Sequence, residues 1–128
     1  MRRPKPSSEA EQQHQADVTL SGRRGDLLDA AREAEGKFRQ AQARHAPDAE
    51  VRRLAEDLDA TLTEAMRAAY AAQRAEIGPR GYDDRIFRRK AMATPKVHAL
   101  TAEAEHLLTL RETHRLTGIP AVAFDPAP

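Results

Sequence analysis

Apolar residues recur at alternating spacings of four and three along most of this chain, the repeat that lines up one face of an α-helix. Leu27, Ala31, Ala34, Phe38, Ala41 and His45 make one such stripe, widened by Leu28. Val51, Leu54, Leu58, Leu62, Ala65, Ala69 and Ala72 make a second, with one step of four where three is due. That extra step resembles a local eleven-residue repeat, which straightens a supercoil. Only Ala46-Pro47 lies between the two stretches, so the pattern predicts an antiparallel helical hairpin, residues 25–45 and 48–77.

Asp48 or Ala46 is the expected cap of the second helix, with Pro47 in its first turn. Ile77-Gly78-Pro79 should stop that helix. Asp83 or Asp84 then caps a short helix carrying Ile86, Phe87 and Met92, and Thr94-Pro95 opens a last helix over residues 95–117. Val97, Leu100, Ala104, Leu107 and Leu108 form its stripe, and Leu116-Thr117-Gly118 closes it, with Ile119 folding back on the last turn. Upstream, Ser8 and Glu11 read as a capping box for a short helix from Gln12 to Val18, stopped at Ser21-Gly22. The fold class is therefore all-α: an N-terminal tail with a short helix (1–22), a helical domain (23–118) and an extended C-terminal tail (119–128).

Composition sharpens this picture. Leu, Ile, Val and Phe together supply 21 of 128 residues and Ala alone supplies 25. The large apolar residues thus fall below the rough one-fifth that flags disorder when net charge is also high, a condition the net charge of +1 does not meet, while Ala favours helix and buries little area per side chain. Read alone, the sequence predicts helices that lean on partner subunits to complete their packing, in a homo- or hetero-oligomer. Phe38, Leu54, Leu58 and Leu62 on the hairpin, with Val122 and Phe124 in the tail, are the expected protein-interface residues. An assembly subunit, such as a phage virion component, scaffold or adaptor, or part of a bacterial complex, suits that build.

Charge adds a second candidate. The segment 80–96 holds Arg80, Arg85, Arg88, Arg89, Lys90 and Lys96 against Asp83 and Asp84, a net charge of +4, whereas residues 48–77 carry −3. Such a basic segment suits either an acidic partner protein or nucleic acid, whose phosphates release counterions to clustered cations. No helix-turn-helix, zinc-finger or sheet-based RNA-binding signature accompanies it. The Ala excess and 17 Arg against 4 Lys reflect GC-rich coding, as in actinobacteria and their phages, and carry no functional weight.

The remaining chemistry is thin. There is no Cys, which removes disulfides, thiolate nucleophiles and Cys-based zinc sites. Glu103 and His106 form one E-x-x-H pair, but a di-iron bundle needs two such pairs and facing glutamates. His98, His106 and His114 recur every eight residues, a spacing that fans them around a helix by roughly 80 degrees per step and reads as surface histidine. Ser7, Ser8 and Ser21 lie in tail or turn sequence without a rigid base, and Tyr70 reads as packing. No catalytic, cofactor-binding or metal site is expected. The N-terminus lacks an apolar signal core and no stretch approaches a membrane span, so a cytoplasmic protein without membrane contact, or one packaged into a virion, is expected.

Overall fold

The structure, a computed structural model, describes residues 5–118. Six α-helices and one π-helical turn account for them: α1 (Ser8–Ser21), α2 (Arg24–Ala43), α3 (Asp48–Ile77), α4 (Arg80–Asp83), α5 (Arg85–Met92), α6 (Pro95–Thr113) and the π turn His114–Gly118. No strand occurs among the described residues. The protein is all-α, and α2 with α3 forms the hairpin that the stripes predict.

The spine is α3, whose 30 residues extend about 45 Å at 1.5 Å per residue. Helices α1 and α2 follow one another along it, α1 against its second half and α2 against its first. Helix α6 runs along a further side, antiparallel to α3. Phe38 from α2, Leu58 and Leu62 from α3, and Ala104 and Leu107 from α6 converge in one core. Helices α2 and α6 of the same chain therefore cover most of the stripe, without a second subunit. Small side chains make this possible. Ala41, Ala55, Ala65, Ala68, Ala71 and Ala104 are all at 0% exposure, and each lets a neighbouring helix approach closely where a larger residue would hold it off.

Local chemistry shifts several boundaries. Ser7, not Ser8, caps α1: its Oγ accepts from the Ala10 amide at 3.0 Å. The helix then runs three residues past Val18, to Ser21. Helix α2 ends before His45, which takes a left-handed conformation at φ 53° and is exposed rather than part of the stripe. Neither Asp48 nor Ala46 caps α3; Pro47 occupies that position and offers no side-chain acceptor. At the other end Gly78, at φ 96° and ψ 173°, adopts a backbone conformation essentially reserved for glycine. That single residue turns the chain into α4. No described helix is long and apolar enough to cross a membrane.

Candidate interaction surface

Beyond Gly78, α4 and α5 form a corner that stands on polar contacts more than on apolar area. Asp84 lies between the two helices and caps α5, its Oδ1 accepting from the Phe87 amide at 3.0 Å. That backbone bond, with help from Arg80, outweighs the opposing effect of burial and holds the Asp84 carboxyl below the usual aspartate value. Arg80 donates to Asp84 at 3.2 and 3.3 Å and lays its guanidinium 4.5 Å from the centre of the Phe87 ring. Arg88 reaches the Gly81 carbonyl at 3.4 Å.

Helix α1 braces the corner from outside. The Ser7 amide and hydroxyl both donate to Asp83, at 2.7 and 2.9 Å. Nearly three turns further, Asp17 is 3% exposed and accepts from Arg74 Nε and Nη2 at 2.9 and 3.0 Å, and from the Tyr82 hydroxyl. Burial alone would raise the Asp17 pKa, but the bonds from Arg74 and Tyr82 outweigh it and hold the carboxyl low. Burial and the Asp17 carboxylate push the Tyr82 phenol up, so that it stays a donor. One buried carboxylate thus joins α1, α3 and α4.

With the corner fixed, the six basic residues divide by role. Arg80 and Arg88 are bonded within the corner, and Lys96 pairs with Glu76 of α3 at 3.2 Å. Arg85, Arg89 and Lys90 are exposed and have no carboxylate partner among the described residues. Ile86 stands among them at 70% exposure. An open groove of about 710 Å³ runs between the Lys5–Ser7 segment and this face, lined by Arg80, Arg85, Ile86 and Arg89 together with Asp83 and Asp84. Helix α5 buries no residue at all. The arrangement can bind carboxylates or phosphates beside an apolar side chain; it offers no nucleophile with a supporting base.

The residues singled out on the hairpin are placed differently. Phe38, Leu58 and Leu62 are 4–5% exposed inside the chain and leave little surface for a partner, while Leu54 is half-buried at the edge of the same core. Val122 and Phe124 lie outside the described residues, as does Ile119. Tyr70, next to the stripe residue Ala69, is partly buried and packs against the core.

A second surface lies where α2 and α6 flank α3 without closing on each other. Two adjoining hollows of about 290 and 430 Å³ share Glu35, Leu62 and Leu110. Arg24 and Glu103 bridge α2 and α6 at 3.6 Å, so Glu103 is engaged in an ion pair beside His106, which is exposed. The histidines do fan, but His114 is not a surface residue. It is 8% exposed, its Nε2 donates to the Ala55 carbonyl at 2.7 Å, and its ring meets Phe38 edge-on. Among the described residues no group of three or more His, Asp or Glu is placed to hold a metal ion.

Sequence reasoning missed Asp17 and its bonds to Arg74 and Tyr82. A signal was available: Asp17 stands seven residues after Ala10, the buried residue at the start of α1, so a carboxylate occupies a core-facing position of the helix repeat. Such a residue needs an internal partner.

No protein-family model matches this chain, and no curated protein or solved structure matches it. The functional reading rests on the chain's own geometry.

Proposed function

We propose that the protein is a non-enzymatic assembly subunit, a scaffold, adaptor or particle component of a larger complex in the cytoplasm or in a virion, and that it meets its protein partner through the α4–α5 face. One observation carries this reading: a 70% exposed Ile86 stands among three cations that have no carboxylate partner among the described residues, on a helix that is at most half-buried. Isolated surface isoleucines are ordinary. Here the corner beneath is built from a buried carboxylate and a turn that requires glycine at position 78, an arrangement more constrained than a solvated turn needs. The hairpin and α6 act as the rigid support, and no cofactor is called for.

The test is mass. The chain should travel in a complex heavier than one subunit when isolated from its source, and Ile86→Asp should release it as a folded monomer. A wild-type chain found only as a lone monomer argues against assembly.

A nucleic-acid accessory role is the second reading, favoured by the same three unpaired cations. It predicts binding to DNA or RNA whose affinity falls steeply with salt, by a slope set by the number of phosphates contacted.

A further inference from the structure

We propose that the groove on the α4–α5 face is a docking site for an acidic amphipathic helix of a partner protein, one that presents two carboxylates a helical turn apart with an aliphatic side chain beside them. This rests on the assembly reading above and names the partner's chemistry. Arg85 and Arg89 are four residues apart on α5, so their side chains rise from the same face. A helix with Glu or Asp at its own i and i+4 positions carries the matching spacing, and each carboxylate can meet one guanidinium, the group best shaped to hold it by two parallel bonds. Ile86 lies beside this pair and is the natural seat for the partner's aliphatic residue.

The acids nearby support the same choice. Asp83 is bound by Ser7, and Asp84 by Arg80 and the Phe87 amide, so neither neutralises Arg85 or Arg89. They still contribute two negative charges to the groove lining. A continuous polyanion laid along the groove passes over both, whereas a helix with its acids on one stripe avoids them. A phosphate backbone also has nothing to place on Ile86. Charge and apolar exposure together therefore favour a protein helix over a nucleic acid.

The probe is a fluorescent helix-forming peptide of about 18 residues, five turns, with Glu at i and i+4 and Leu at i+1, compared with a scrambled peptide of equal composition and with single- and double-stranded oligonucleotides. Anisotropy at low salt should show the patterned peptide binding at least about tenfold tighter than the scrambled one, a difference of about 1.4 kcal/mol. Arg85→Glu with Arg89→Glu should abolish that binding. Ile86→Ser should weaken the patterned peptide several-fold and leave any oligonucleotide binding unchanged. All three positions are exposed, so thermal melts of the variants should match the parent. Equal binding of the two peptides, tighter binding of an oligonucleotide, or no peptide binding at low salt each overturns the site. If the site fails while the chain is still recovered in a heavy complex that Ile86→Asp leaves intact, assembly stands and uses another face. If the chain is only ever a lone monomer, both readings fall.

Discussion

Around the first half of α3, Leu58 and Leu62 meet Phe38, Leu107 and the His114 ring, and large side chains fill the space between helices. Around the second half, Ala68, Ala69, Ala71 and Ala72 line the backbone, and the distinctive contacts are polar. Asp17 with Arg74 and Tyr82 is one, Ser7 with Asp83 another, and Gln73 donating to Thr101 at 2.7 Å a third. The second half holds more of the buried positions of α3, seven from Ala65 to Ile77 against Ala55, Leu58 and Leu62 in the first, but most of the seven are alanines. The first gains stability from area, the second from close approach fixed by a few directional bonds. Alanine removes little apolar surface from water, so the second half depends on pairing charges correctly, and in return it fixes the orientation of α4 and α5. The half that holds the candidate surface is therefore the half whose geometry is set by hydrogen bonds.

The largest effect should come from breaking the first half. Leu58→Asp or Leu62→Asp puts a carboxylate among aliphatic side chains at 4–5% exposure, adding the cost of a buried unpaired charge to the lost packing. The expected loss is about 5 kcal/mol or more, comparable with the whole stability of such a domain. From the sequence alone the same changes are expected to dissolve an oligomer; with the seam closed internally they should unfold the chain. Circular dichroism distinguishes the two outcomes, because loss of helix accompanies only the second. Leu116→Asp, at an 83% exposed position, is the control and should stay within about 0.5 kcal/mol.

Next in size is the second half. Asp17→Ala leaves Arg74 and the Tyr82 hydroxyl without their acceptor, and removal of one partner of a buried pair costs about 3–5 kcal/mol. Arg74 is partly exposed and water can reach it, which places the expectation at the low end. The pH dependence follows from the direction of each shift. Asp17 is held below its unfolded value of about 3.9, so its contribution is present above roughly pH 4 and is lost as the pH falls through the lower folded value. Tyr82 is shifted upward from about 10, so its contribution is present below that pH and is lost as the pH rises through the higher folded value. Urea melts across the acid range should show Asp17→Asn losing stability with pH less steeply than the parent. An unchanged acid slope would remove Asp17 from this role.

The contrast also explains what could be read from sequence. Helix existence was legible because Leu, Phe and Ala at helical spacing leave few alternatives; α3 begins and ends where its pattern says. Closure within one chain was not, because counting large apolar residues underrates alanine, whose value lies in the approach it permits. The basic cluster was legible as a cluster, but its division into bonded Arg80, Arg88 and Lys96 and free Arg85, Arg89 and Lys90 depends on which acids the fold brings near. Partners such as Asp17 and Arg74 are 57 residues apart in the chain, and no local pattern pairs them. His114 was misread for the same reason: helical spacing fixes its direction, while its burial depends on Phe38 and Ala55 from other helices.

The smallest predicted effects come from two glycines, one in each half, and they should have opposite signs. Gly81 sits under Ile77, where an added Cβ would lie 2.5 Å from Ile77 Cγ2. Ile77 is branched at Cβ and 9% exposed, so it cannot swing aside. Gly81→Ala must then push α4 off α3, at the 1–3 kcal/mol typical of an overpacked site, about 2 kcal/mol here. It should also loosen the Tyr82–Asp17 bond one residue away. Gly36 lies in the exposed middle of α2, and an added Cβ there meets nothing within 4 Å. Gly36→Ala should therefore stabilise the protein by about 0.5–1 kcal/mol, through the better helix propensity of alanine alone. Thermal melts of the two variants measure the comparison directly. A gain at both positions would mean that the second half gives way as easily as the first, and that its polar contacts do not hold the α4–α5 corner in a fixed place.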